Sequence, residues 1–112
     1  MEFLVTQRKK VCVLSPQGSI DAMTVGECAQ FFTRQMEKGK IHLIVDLGGV
    51  DFMSSAGLRL LLQAAKDARQ KGGDLRLAGA SPAVEKMLKL SGFPSILKIF
   101  SLVDQAVESY AS

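Results

Sequence analysis

Residues 50–58 read VDFMSSAGL and join an apolar, strand-like run to a segment whose apolar residues have helical spacing. They place two hydroxyl side chains, Ser54 and Ser55, where that helix begins. The first N–H groups of a helix lack intrahelical partners and lie at the positive end of its dipole. A serine there can cap the helix, and a phosphorylated serine would set a dianion beside the same donors. The segment therefore predicts either a structural cap or a regulatory switch.

Strand-like and helix-like segments alternate on both sides of this stretch. The predicted strands are residues 3–7, 11–15, 41–47, 75–78 and a short one within 96–100, with Pro16-Gln17-Gly18 ending the second. Predicted helix starts are a Thr24–Glu27 capping box, the Ser54-Ser55 pair, Ser81-Pro82 and a Ser101–Asp104 capping box. Strands that alternate with helices after a hairpin predict an α/β fold. We expect a single domain over residues 1–112, with a mixed sheet of four to five strands and about four helices packed against it.

The composition is that of an ordinary globular protein, with 112 residues, a net charge of +3 and two cysteines. The only basic run is Arg8-Lys9-Lys10, which lies in a predicted turn without interleaved aromatic residues, so direct nucleic-acid binding is not expected. Cys12 and Cys28 lie in apolar stretches and are predicted to be buried free thiols of a cytoplasmic protein. No apolar segment is long enough for membrane insertion.

The sequence contains no pattern that predicts an active site. The single histidine, His42, lies within an apolar strand, and with two separated cysteines it makes no metal-ligand spacing. Gly48-Gly49 after a strand is at most a weak phosphate-cradle signal, and a nucleotide-binding domain using it with Asp21 is a minor hypothesis. We therefore predict no enzyme activity, no metal and no cofactor.

The residues beside the serines favour a contact surface. Phe52 and Met53 are bulky apolar residues in a predicted loop, where they would serve either a partner or a hydrophobic staple. Arg59 follows Ser55 by one helical turn, so its guanidinium could reach a phosphate on that hydroxyl, or simply belong to the polar face of the helix.

Four segments, Gly18–Asp21, Leu43–Leu47, Val50–Leu58 and Leu90–Phe93, resemble the STAS domain family in sequence and order over essentially the whole chain. Stand-alone members of that family resemble bacterial anti-sigma factor antagonists. The resemblance implies a protein that binds an anti-sigma factor with serine kinase activity and so releases a sigma factor. Phosphorylation of a serine at this helix start would break the complex, and a PP2C-type phosphatase would restore the protein.

The resemblance also implies the site residues. The phosphoacceptor position falls on Ser55, with Ser54 as the alternative, since many switching members have aspartate where this chain has Ser54. The expected partner-binding residues are Asp21, Asp46, Phe52, Met53, Ser54, Ser55, Ala56, Gly57 and Arg59. The alternative function is a constitutive STAS accessory subunit of a transporter or another signalling assembly, without a phospho-switch. A homodimer is compatible with either function.

Overall fold

The computed structural model describes residues 1–111, in which one mixed sheet carries helices on both faces. The strands are β1 (Glu2–Arg8), β2 (Val11–Ile20), β3 (His42–Asp46), β4 (Val50–Met53), β5 (Asp74–Ala78) and β6 (Ile99–Phe100). The helices are α1 (Val25–Glu37), α2 (Ser55–Gln70), α3 (Pro82–Leu90) and α4 (Val103–Glu108), with a 3₁₀ turn at Phe93–Ser95. The predicted mixed α/β sheet with four helices is confirmed, with six strands where the sequence predicts four to five.

The strands run in the order β1-β2-β3-β5-β6, and β4 pairs with the second half of β2. The β1–β2 hairpin is antiparallel, and every other pairing is parallel. Parallel neighbours require crossover helices, which is why helices alternate with strands after the hairpin. The carboxyl ends of β2, β3, β4, β5 and β6 consequently meet at one edge of the sheet.

Alternate residues of β2 divide the core between the two faces of the sheet. Cys12 and Leu14 pack in the larger apolar cluster with residues of α1, α2 and α3, whereas Val11 and Val13 pack in a smaller cluster with α4. Both cysteines are free and buried, as predicted. No helix within residues 1–111 is long and apolar enough to cross a membrane.

Two strand predictions are wrong, and both errors concern the β2–β4 pair. Residues 16–18 do not end β2, which continues to Ile20. Pro16 is tolerated because it lies after the last β3 partner, Leu14, and before the first β4 partner, Gly18, where the parallel ladder needs no N–H from it. Residues 50–53 form strand β4 rather than a loop, because they pair with the extension of β2.

One of the three predicted side-chain caps outside the serine pair is correct. The Ser81 hydroxyl accepts a hydrogen bond from the Val84 N–H at 3.3 Å, as predicted. Thr24 makes no cap: its hydroxyl donates to the Ser19 carbonyl at 2.7 Å, so the predicted box with Glu27 is wrong. The box predicted between Ser101 and Asp104 is also wrong, since the N-cap of α4 is Leu102, whose N–H donates to Gln105 Oε1 at 3.2 Å.

Candidate functional site

The candidate site lies at the carboxyl edge of the sheet, where β2 and β4 end side by side. Ile20 pairs with Met53 in the last step of the parallel ladder, and the Ser54 N–H donates to the Ile20 carbonyl at 2.9 Å. Asp21 therefore follows β2 at the point where Ser54 follows β4. This arrangement brings Asp21, Phe52, Ser54 and Ser55 to one junction, and fixes the start of α2 against the end of β2.

The two serines occupy different positions at the start of α2. Ser54 is the N-cap: it is half-buried, and its hydroxyl accepts a hydrogen bond from the Gly57 N–H at 3.4 Å. Ser55 is the first residue of the helix and its side chain is exposed. The structural cap and an accessible hydroxyl are therefore carried by neighbouring residues, not by one.

Met53 and Gly57 lie beneath this surface rather than on it. The predicted exposure of Met53 is wrong, because its side chain is 0% exposed and belongs to the main core. Gly57 is buried as well, and a Cβ there would stand 2.6 Å from Met53 Cγ and 3.0 Å from Ile20 Cγ2. Neither residue can therefore contact a partner through its side chain. Their packing instead sets how closely α2 approaches the sheet.

Two apolar side chains at the junction are exposed. Phe52, which pairs with Ser19 on β2, leaves 52% of its surface exposed, as predicted. Met23, in the turn after β2, is 88% exposed and was not among the predicted residues. The sequence signal for it is an apolar residue inside a turn bounded by Asp21 and Thr24. Exposed bulky apolar residues beside a polar helix start are typical of a protein contact surface.

The two predicted aspartates each hold a turn. Asp21 Oδ1 accepts hydrogen bonds from the Met23 N–H at 2.9 Å and the Thr24 N–H at 3.2 Å. Asp46 Oδ1 accepts from the Gly48 N–H at 2.9 Å, at the end of β3 beside β5. Asp46 thus belongs to the β3–β5 part of the edge, and only Asp21 lies at the junction with the serines.

The start of α2 is open to an anion. Its first turn contains no acidic residue, and Ala56 beside Ser55 is half-buried. Arg59 is exposed one helical turn after Ser55, and within residues 1–111 its side chain makes no ion pair or hydrogen bond. The helix dipole and this guanidinium both favour negative charge near the Ser55 hydroxyl.

The described residues do not assemble a reactive centre at this edge. Within residues 1–111 no group of three or more histidine, cysteine or acidic side chains is placed to hold a metal. Burial, with a contribution from Glu27, raises the pKa of the Cys28 thiol to about 11, so it remains protonated near neutral pH and is a poor nucleophile. His42 begins β3, at the opposite edge of the sheet, where its ring makes a T-shaped contact with the ring of Tyr110.

Comparison with known proteins accords with this architecture. BtrV of Bordetella bronchiseptica, named as a candidate anti-sigma factor antagonist, is 33% identical over 94 residues, which cover 84% of this chain and 81% of that protein. An anti-sigma factor antagonist from Mycobacterium paratuberculosis superposes with a TM-score of 0.90 at 23% identity, covering 99% of this chain and 94% of the other. Bacillus SpoIIAA in its phosphorylated form superposes with a TM-score of 0.72 at 19% identity, covering 97% and 99%. Residues 2–106 match the STAS domain, and the chain therefore belongs to the STAS domain family.

Proposed function

We propose that this protein is an anti-sigma factor antagonist whose contact surface is the β2–β4 junction together with the start of α2. It binds an anti-sigma factor that is also a serine kinase, and so releases a sigma factor in the bacterial cytoplasm. The observation that carries the proposal is the exposed Ser55 hydroxyl at the first position of α2, beside exposed Phe52 and Met23. The name of BtrV, which matches 84% of this chain, supports the same function.

We further propose that phosphorylation of Ser55 switches the complex off. A phosphate adds about −1.5 to −2 charges at neutral pH. In the free protein this charge is stabilised by the N–H groups of the first turn of α2 and by Arg59. In the complex the same charge would have to lose water against an apolar contact surface, which is costly unless the partner supplies a cation. Phosphorylation therefore opposes binding without requiring a change of fold.

Ser55 is favoured over Ser54 as the acceptor by the geometry of the cap. The Ser54 hydroxyl accepts the Gly57 N–H and the side chain is half-buried, so a kinase would have to break the cap to reach it. The Ser55 hydroxyl can be modified while this hydrogen bond stays in place. A PP2C-type phosphatase that removes the phosphate would restore the binding surface with the cap still intact.

The first experiment is intact-mass analysis of the protein purified from its own host, followed by fragmentation across residues 51–59. We expect one phosphate on Ser55 in part of the population, in an amount that changes between growth and stress. A phosphate on Ser54 would contradict the assignment of the acceptor but keep the switch. An unmodified chain under both conditions would contradict the switch and favour a constitutive accessory subunit of a transporter or signalling assembly.

Binding to the purified anti-sigma kinases of the host then tests the contact surface. Ser55→Asp is expected to weaken the complex by at least roughly 10-fold, about 1.4 kcal/mol. Ser101→Asp is the matched control, because Ser101 is also an exposed serine but lies ahead of α4. Equal weakening by both variants would indicate a general charge effect, and no weakening by Ser55→Asp would contradict the proposed surface.

A further inference from the structure

Within residues 1–111, strand β1 forms one edge of the sheet and pairs only with β2. It is seven residues long, contains no proline, and places its charged side chains, Glu2 and Arg8, at its two ends. The apolar residues between them are open to solvent, with Leu4 52% and Val5 47% exposed. A long uncharged edge of this kind presents a row of free N–H and C=O groups to another strand.

The hairpin turn determines which backbone groups face outward. β1 and β2 are joined by the two-residue turn Lys9-Lys10, and such turns are closed by a hydrogen-bonded pair, here Arg8 and Val11. Hydrogen-bonded and non-hydrogen-bonded pairs alternate along an antiparallel ladder. The even-numbered residues of β1 therefore bond to β2, and the N–H and C=O groups of Phe3, Val5 and Gln7 point away from the sheet.

We propose that two copies of this protein dimerise by antiparallel pairing of their β1 strands, with Val5 on the two-fold axis. In this register Val5 pairs with its own copy and Phe3 pairs with Gln7 of the partner subunit, so every outward backbone group is matched. Only the register centred on Val5 pairs all seven residues. Moving the axis by one residue, to Leu4 or Thr6, leaves two residues at one end of each β1 strand without a partner.

The charges of β1 favour the same register. Centring on Val5 sets Glu2 opposite Arg8 of the partner subunit, and both side chains point to the same face because opposed residues of an antiparallel pair share a face. Arg8 already donates to Asp104 Oδ1 at 2.6 Å on that face, which holds its guanidinium in place while leaving further N–H donors. Two such Glu–Arg pairs form per dimer, and within β1 no like charges are set opposite each other.

The dimer leaves both candidate sites accessible. The two-fold axis is perpendicular to the continuous sheet, so the carboxyl edge of β2 in one protomer and that in its partner face opposite directions. The Ser55 hydroxyls are then at opposite edges of the dimer, away from the β1 strands. A dimer would accordingly bind two partner molecules independently.

Sedimentation equilibrium of the purified chain tests the dimer. A seven-residue edge pair is a small interface, so we expect dissociation constants in the range of roughly 10–100 µM. Val5→Lys sets two ammonium groups at the two-fold axis and is expected to weaken association at least roughly 10-fold. Gln63→Lys, on the exposed face of α2, adds the same charge on a helix that packs against β5 rather than β1 and should leave association unchanged. A wild-type chain that stays monomeric to about 500 µM would overturn the proposal, as would a Val5→Lys variant that associates normally.

Disulfide trapping tests the register. In the proposed dimer Leu4 is opposite Thr6 of the partner subunit, with their Cβ atoms about 4.5–5.5 Å apart. The two copies of Leu4 are diagonal neighbours, and their backbones are about 7–8 Å apart. Under mild oxidation a mixture of Leu4→Cys and Thr6→Cys should crosslink, while each variant alone should not. Both native cysteines are buried, so they give little background. Efficient crosslinking of Leu4→Cys alone, or none in the mixture, would overturn the register centred on Val5.

Discussion

Replacing Gly57 by alanine tests whether the start of α2 is held against the sheet by close packing. A Cβ at this position would stand 2.6 Å from Met53 Cγ, 3.0 Å from Ile20 Cγ2 and 3.2 Å from the Ile20 carbonyl oxygen. The first contact cannot be relieved cheaply, because Met53 is itself fully buried. The last involves the carbonyl that accepts the Ser54 N–H, so moving it disturbs the junction.

Two opposing effects set the size of the change. Overpacking a filled core destabilises by about 1–3 kcal/mol, whereas replacing a helical glycine by alanine contributes up to about 1 kcal/mol in the other direction. Gly26 gives a matched control, since it also lies in the first turn of a helix, α1, and a Cβ there would meet nothing within 4 Å. Gly26→Ala should therefore leave the free energy of unfolding unchanged or raise it by about 0.5–1 kcal/mol. The free energy of unfolding of Gly57→Ala should be about 1–3 kcal/mol lower than that of Gly26→Ala.

Urea denaturation of both variants measures this difference directly. We expect the urea concentration at the unfolding midpoint to fall for Gly57→Ala and to hold or rise for Gly26→Ala. The dependence of the unfolding free energy on urea should have the same slope in both variants, which would show that only native-state stability has changed. If Gly57→Ala were as stable as Gly26→Ala, α2 would have room to move away from β2, and the close packing inferred at the junction would be wrong.

Four further substitutions separate the cap, the surface and the remainder of the fold. Ser54→Ala should cost about 0.5–1 kcal/mol in urea denaturation, because it removes the N-cap, while Ser55→Ala should stay within about 0.5 kcal/mol of wild type. Phe52→Ser should weaken partner binding roughly 10-fold in titration calorimetry and lower stability by no more than about 1–1.5 kcal/mol, since half of the side chain is already exposed. Burial raises the pKa of the Asp74 carboxyl, but hydrogen bonds from Arg69 and Arg76 outweigh it and hold the pKa below its ordinary value. Asp74→Asn should therefore cost about 1–2 kcal/mol at neutral pH. This difference should begin to shrink below about pH 4, where the carboxyl of the unfolded wild-type chain binds a proton, and vanish once the pH falls below the lowered pKa of the folded carboxyl.

Local signals in the sequence were sufficient for most of the fold. The capping role of Ser81 follows from Pro82 at the first helical position, and the cap at Ser54 follows from the serine pair ahead of an apolar stripe. The near-continuous apolar run of β3 predicted a strand covered on both faces, and residues 43–45 are indeed fully buried. These features depend on residues within a few positions of one another, so a pattern can show them.

The features that were missed depend on pairing between distant segments. Residues 50–53 are a strand only because β2 continues past Pro16 to meet them, and neither segment indicates this alone. The burial of Met53 follows from the same pairing, since alternate residues of β4 point to opposite faces and place Phe52 outside. Thr24 was assigned to a cap, but the end of β2 offers the Ser19 carbonyl at 2.7 Å, a partner that exists only in the folded chain.

The division of roles between the two serines bears on how a switch at this site would work. With Ser54 as the cap, the first turn of α2 contains no acidic side chain, so no carboxylate of the helix lies beside Ser55. An aspartate at the same position would cap the helix equally well but would bring a permanent negative charge beside Ser55. A phosphate on Ser55 then brings about −1.5 to −2 charges to a helix start that has no negative side chain of its own before modification. The neutral cap is therefore compatible with a switch at Ser55, and requires a kinase that recognises its substrate without that aspartate.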